Sequence, residues 1–172
     1  IIVCTVTADF VPILCALSIA CSFSALVKGS SKKITSDAAV NVILEAKTIY
    51  IVGIRSCEPL ADFLSFYLNM LFDNVHLIQT SSASEIFEQM IRIDEKDAMI
   101  GISFPRYSMR TLKAMEFAND RNAKVITITD TVHSPMNLYS SCNLLARSDM
   151  VSIVDSLVAP LSVINALVVA NY

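Results

Sequence analysis

The sequence lacks the excess of basic residues that marks a nucleic-acid-binding surface. It has 13 lysines and arginines against 16 aspartates and glutamates, a net charge of −3, and its pI is near 5.3. A DNA-binding domain usually carries a basic patch. We therefore expect any DNA binding to depend on a segment outside this chain.

The five cysteines do not form a metal-binding or disulfide pattern. Their number is odd, and no pair has the C-x-x-C spacing of a zinc or redox site. We predict no metal site and assign no cofactor. Unpaired cysteines fit a reducing compartment, so we expect a cytoplasmic protein.

Charged residues make up only 17% of the 172 residues and hydrophobic residues 54%, with a mean hydropathy of +0.58. The length suits one domain with one core. The apolar composition fits either a parallel sheet buried on both faces or a membrane-like segment.

Residues 1–28 are nearly free of charge, and the uncharged run 10–27 just reaches the length of a membrane span. Pro12 and several serines weaken that interpretation, so we favour a buried helix or sequence foreign to the parent protein. Residues 29–33 are predicted to be a linker. The predicted division is an N-terminal segment, 1–33, and a domain, 34–172. Because the chain begins with Ile1, we expect a fragment.

From residue 34 onward, short apolar runs alternate with amphipathic helices. Strands are predicted at 48–52, 75–78, 98–102, 124–129 and, more weakly, 143–146. Helices are predicted at 35–46, 58–72, from 82, at 108–120, 134–140 and 155–170. This order implies an α/β fold, a three-layer αβα sandwich with a parallel sheet. The last helix is apolar nearly all round, which favours a subunit interface.

In such folds, ligands bind outside the carboxyl ends of the strands. The hydroxyls and arginines of three loops suit an anion such as phosphate, with the amino ends of the following helices adding a favourable dipole. Helix capping is the alternative role of the serines. The candidate ligand-binding residues are Gly53, Arg55 and Ser56 in the first loop, Thr80, Ser81 and Ser82 in the second, and Ser103, Arg106 and Ser108 in the third.

The motifs at 49–56 (IYIVGIRS), 101–108 (GISFPRYS) and 123–130 (AKVITITD), with Ser134-Pro135 and the segment 148–161, resemble the SIS (sugar isomerase) domain. Their order and spacing are most similar to the RpiR-type bacterial transcription regulators, over residues 34–172. The resemblance implies a flavodoxin-like, five-stranded parallel sheet that usually dimerises. It also implies a phosphosugar effector and a separate helix-turn-helix domain that binds DNA. No helix-turn-helix pattern occurs in residues 1–28.

By the same resemblance, Ser56, Ser81, Ser82, Ser103 and Ser108 match ligand-loop positions. Many SIS domains have Ser-x-Ser-Gly-x-Thr in the third loop, whereas this chain has Pro105 at the second serine and Arg106 at the glycine. An arginine there offers a charged side chain where the family offers backbone N–H groups.

We therefore expect a sugar-phosphate-sensing domain of a regulator of carbohydrate metabolism, homodimeric or of higher order, and not an enzyme. One alternative is a sugar-phosphate isomerase, for which Glu58, Glu85 and His133 are the candidate bases. Another is a membrane-tethered interaction protein that uses residues 10–27.

Overall fold

The computed structural model describes residues 30–79, 82–147 and 156–172. The predicted membrane span, the candidates Thr80 and Ser81, and the motif segment 148–155 lie outside these ranges. None of the described helices is both long enough and apolar enough to cross a membrane.

The described residues form five strands, five α-helices and two short 3-10 turns. Their order is α1 (Ser30–Glu45), β1 (Ile49–Gly53), a 3-10 turn (Arg55–Cys57), α2 (Glu58–Leu71), β2 (Val75–Ile78), α3 (Ala83–Gln89), β3 (Ala98–Ile102), α4 (Met109–Asp120), β4 (Lys124–Thr129), a second 3-10 turn (Pro135–Leu138), β5 (Cys142–Leu145) and α5 (Val158–Ala170).

The strands pair in the order β2-β1-β3-β4-β5, and every pairing is parallel. All five residues of β1 and all five of β3 are buried. Such continuous burial is expected of central strands covered by helices on both faces. The predicted α/β class and parallel sheet are confirmed.

Alternate strand residues face two separate apolar layers. Ile49 and Ile51 pack with residues of α1, α2 and α5, whereas Tyr50 and Val52 pack with residues of α3, α4 and the second 3-10 turn. This division follows from the two-residue period of a strand, and it produces the predicted three layers. Burial raises the pKa of the Cys142 thiol to about 11, so this residue packs as a neutral thiol.

Several element boundaries differ from the sequence-based prediction, and the predicted helix 134–140 is a 3-10 turn at Pro135–Leu138. Ser30–Lys33, predicted as linker, begin α1, because no glycine or proline follows Gly29 to interrupt the helix. β5 begins at Cys142 rather than residue 143, because the Ser141 N–H donates to the Val125 carbonyl at 2.7 Å and starts the pairing earlier. The domain boundary at residue 34 remains a prediction.

Candidate functional site

A pocket of about 280 Å³ lies between the loops that follow β1 and β3. These two strands are neighbours in the sheet. The chain leaves β1 toward β2 on one side and continues from β3 toward β4 and β5 on the other, so the pocket lies at the topological switch point. Open α/β sheets bind their ligands at such a crevice. The lining residues are Ile54, Arg55, Ser56, Cys57, Ser103, Phe104, Pro105, Arg106 and Ser108.

The loop after β1 contributes a left-handed arginine and an exposed serine. Arg55 has a φ of 64° and opens the 3-10 turn that leads into α2. The N-cap residue of α2 is Cys57, which makes no side-chain capping hydrogen bond. Ser56 therefore does not cap this helix, and its hydroxyl lines the pocket instead.

In the loop after β3, two serines hold the backbone in place. The Ser108 N–H donates to Ser103 Oγ at 3.3 Å, and Ser103 is 97% buried, with 3% exposed. Ser108 Oγ in turn accepts the Thr111 N–H at 3.5 Å and caps α4. Each hydroxyl keeps its hydrogen as a donor. Capping and ligand binding are thus compatible roles for Ser108.

Arg106 follows Pro105 in the same loop and has a φ of 69°. This is the left-handed conformation that glycine adopts most easily, and glycine is the residue that the resembling family places here. The loop therefore keeps a glycine-type backbone while carrying an exposed guanidinium group at the pocket.

A hydrogen bond fastens this loop to the end of β4. Tyr107 Oη donates to Asp130 Oδ1 at 2.6 Å, and Thr129 Oγ1 donates to the same oxygen at 3.2 Å. Burial raises the pKa of Tyr107, and the hydrogen bond to Asp130 raises that pKa further, so Tyr107 remains a donor. Sequence reasoning missed this pair, although adjacent parallel strands bring their following loops together.

The pocket brings together five of the nine candidate residues: Arg55, Ser56, Ser103, Arg106 and Ser108. Ser82 is not among the lining residues, and its Oγ accepts the Glu85 N–H at 3.4 Å as the cap of α3. The sequence-based prediction missed Ile54, Cys57, Phe104 and Pro105, which supply an apolar wall. Their position in the same two loops was the available signal.

Gly53 lies behind the pocket rather than in its lining. Its φ is not positive, so the backbone does not use the left-handed conformation that glycine adopts most easily. A Cβ at this position would lie 2.6 Å from the Cys57 carbonyl oxygen and 2.8 Å from Ala61 Cβ. The absence of a side chain therefore allows the 3-10 turn and α2 to pack closely against the end of β1.

The pocket is equipped to bind an anion. Among the described residues that line it, two arginines carry charge and there is no aspartate, glutamate or histidine. The amino end of α4 begins beside Ser108 and adds a partial positive charge. Glu58, Glu85 and His133 are exposed and lie outside the lining. In the described part of the chain, no cluster of three or more metal-ligating side chains occurs.

Comparison with known proteins identifies the architecture. The sequence matches the family described as SIS domain over residues 42–170. The structure is similar to the sugar isomerase domain of an RpiR transcription factor from Sphaerobacter thermophilus, with a TM-score of 0.78 and 22% identity, covering 95% of this chain and 90% of that one. A search of curated proteins gives no significant match.

Two further structures have the same architecture. The Vibrio vulnificus NanR protein, complexed with ManNAc-6P, has a TM-score of 0.73 and 16% identity, with coverage of 94% of this chain and 62% of that one. A hypothetical protein from Methanococcus jannaschii, whose structure infers a 3-hexulose-6-phosphate isomerase function, has a TM-score of 0.68 and 13% identity, with coverage of 89% and 84%. The same architecture is therefore found in a protein described as a transcription factor and in proteins described as sugar-phosphate isomerases.

Proposed function

The chain belongs to the SIS domain family, and on that premise we propose that it is the sugar-phosphate-binding effector domain of an RpiR-type transcription regulator of carbohydrate metabolism. It acts in the cytoplasm as a homodimer, and DNA binding resides in a helix-turn-helix domain outside this chain. Effector binding shifts the dimer between two arrangements and thereby changes DNA affinity. An effector can do so only by binding the two arrangements with different affinities.

The observation that carries this proposal is the pocket at the switch point. It combines two guanidinium groups, three serines and the amino end of α4 in a volume of about 280 Å³, near the lower end of the range for small-molecule pockets. Arginine forks suit phosphate oxygens. The likeness to NanR, whose described ligand ManNAc-6P carries a phosphate, supports the same ligand class.

A sensor is favoured over an enzyme because the described pocket lining holds no ordinary general base. Isomerisation of a sugar phosphate requires a group that moves a proton next to a carbonyl, and the lining contains serines and arginines but no carboxylate or imidazole. The sugar-phosphate isomerase remains the second candidate function, because similar structures include proteins described as isomerases.

A thermal-shift screen of the 172-residue chain tests the proposal. The panel contains hexose, pentose and amino-sugar phosphates with their unphosphorylated parents. A phosphosugar at about 100 times its Kd should add about 2.7 kcal/mol of stability, whereas its parent sugar should give a much smaller shift. Recovery of the bound sugar unchanged supports a sensor, and its conversion identifies an isomerase.

Variants assign the binding to the pocket. Arg106→Ala should weaken phosphosugar binding at least tenfold while the domain remains folded, since exposed loop residues contribute little to the core. Arg121→Ala is the matched control, because Arg121 lies over the Phe117 ring, 5.0 Å from its centroid, at the opposite end of α4. Binding that is equal in both variants and in the wild type would remove the loop after β3 from the site.

A further inference from the structure

The two arginines of the pocket share a backbone conformation that is unusual for their type. In the residues that the structure describes, three non-glycine residues have positive φ: Arg55, Arg106 and Asn122. Asn122 follows the end of α4, and asparagine tolerates this region well. Arginine has no such tolerance, so both pocket arginines adopt a conformation that glycine would adopt at lower cost. Strain of this kind is concentrated at functional sites, which indicates that both side chains are needed.

The two arginines belong to separate donor sets. The loop after β3 supplies Arg106, the Ser108 hydroxyl and the amino end of α4, which is already a sufficient set for one phosphate group. The loop after β1 supplies Arg55 and Ser56. A neutral sugar hydroxyl needs only a neutral partner, whereas a guanidinium fork matches the oxygens of a carboxylate or a phosphate.

We propose that this pocket selects a sugar phosphate that carries a second anionic group, either a carboxylate or another phosphate. Arg106 and the start of α4 hold the first phosphate, and Arg55 with Ser56 holds the second anion. Arg55 is then the residue that determines specificity between singly and doubly anionic sugars. This inference rests on the proposed function, because it deepens the identity of the ligand at the same site.

Isothermal titration of the 172-residue chain with two matched pairs of ligands tests the selection. One pair is glucose 6-phosphate and 6-phosphogluconate, which differ by a carboxylate. The other is fructose 6-phosphate and fructose 1,6-bisphosphate, which differ by a phosphate. In at least one pair we expect the doubly anionic member to bind at least tenfold more tightly, and the pair that shows this identifies the second anion.

Two variants assign the preference to Arg55. Arg55→Asn removes the charge with a residue that tolerates positive φ, and it should abolish the preference, so that the two members of each pair bind with affinities equal within about threefold. Arg92→Asn is the matched control, because Arg92 is exposed in the connection that leads into the amino end of β3. It should leave the preference intact. Circular dichroism verifies folding, and Arg55→Gly replaces Arg55→Asn if the latter does not fold.

The outcomes separate this inference from the proposed function. Equal affinities within both pairs would overturn the selection of a second anion and leave a sugar-phosphate sensor. A preference that survives Arg55→Asn would overturn the assignment to Arg55. If none of these four compounds and no phosphosugar of the thermal-shift panel binds, the proposed function fails and this inference fails with it.

Discussion

At the scale of single residues, two serines of the pocket already make hydrogen bonds within the protein. The oxygens of Ser103 and Ser108 accept backbone N–H groups within the loop after β3, so they shape the loop as well as face the ligand. Arg55 and Arg106 combine a left-handed backbone with exposed positions in the pocket lining, where a ligand anion can contact them.

The strain at Arg106 leads to a stability prediction that does not depend on any ligand. Left-handed φ costs a non-glycine residue roughly 1–2 kcal/mol, and glycine costs about 0.5–1 kcal/mol of backbone entropy relative to alanine. We therefore expect Arg106→Gly to be more stable than Arg106→Ala by about 0.5–1 kcal/mol. Urea unfolding monitored by circular dichroism measures this difference.

Comparing the two variants with each other cancels the loss of the arginine side chain, which both share. The same exchange at Arg121, which ends α4 with a φ of −89°, serves as the control, and there the alanine variant should be the more stable one. An Arg106→Ala variant that equals or exceeds Arg106→Gly in stability would contradict the strain at this position.

At the scale of elements, two strand glycines are surrounded by different kinds of atoms. A Cβ at Gly53 would lie 2.6 Å from a backbone oxygen of the 3-10 turn, whereas a Cβ at Gly101 would lie 2.6 Å from the Sδ atom of Met115. Backbone moves only if α2 moves with it, while a methionine side chain can adopt another rotamer. The close packing of α2 on β1 therefore depends on Gly53 more strictly than that of α4 on β3 depends on Gly101.

We expect Gly53→Ala to cost about 2–3 kcal/mol, within the range for overpacking, and Gly101→Ala to cost about 1 kcal/mol or less. Thermal and urea unfolding of the two variants side by side provide the measurement. In a Met115→Ala background the Gly101→Ala exchange should cost less than it does in the wild type, since the effects of contacting residues are not additive. Equal losses at both glycines would show that α2 shifts as readily as the Met115 side chain.

The elements also show what could be predicted from sequence. β2, β3 and β4 were predicted with their observed bounds, and β1 to within a residue, because each is a short apolar run with few competing interpretations. For α2 the three- and four-residue spacing of large apolar residues predicts a broad apolar face that includes Tyr67, but Ala61 and Ser65 are buried, whereas Tyr67 is 38% exposed. The prediction favoured large apolar side chains for the buried face, whereas the small side chains found there allow α2 to approach the sheet.

The site was predictable at the level of loops and less so at the level of side chains. Parallel strands place their following loops at one edge, so the pairing of Arg55 and Ser56 with Ser103, Arg106 and Ser108 could be expected. The burial of Ser103 and the left-handed arginines depend on backbone conformation, which no residue pattern specifies. The hydrogen bond from Tyr107 to Asp130 depends on how closely the loops after β3 and β4 approach each other, which the sequence pattern does not specify.

At the scale of the whole molecule, one helical layer remains incompletely covered. α2 and α5 belong to the same layer of the core, and α5 has no charged residue between Val158 and Ala170. Only its inner side is buried, at Pro160, Val163, Ile164 and Leu167. On the outside, Val158 is 73% exposed and Val169 46%, and on α2 Met70 is 71% exposed. Exposed apolar side chains of this kind are best covered by another apolar surface, and a second copy of the chain supplies one.

The dimer in our proposal should therefore form through α2 and α5. Analytical ultracentrifugation of the wild-type chain should show a dimer, and Met70→Glu or Val169→Glu should raise the dimer dissociation constant at least tenfold, about 1.4 kcal/mol. Ile91→Glu is the control, since the exposure of Ile91, at 61%, lies between those of Met70 and Val169, and Ile91 follows α3 in the opposite layer. A monomeric wild type, or an effect of Ile91→Glu that matches the other two, would exclude this interface. These substitutions lie outside the pocket lining. Titrating glucose 6-phosphate and 6-phosphogluconate into the monomeric variants therefore measures whether effector affinity depends on dimerisation. A regulator that couples effector binding to dimerisation must show such a dependence.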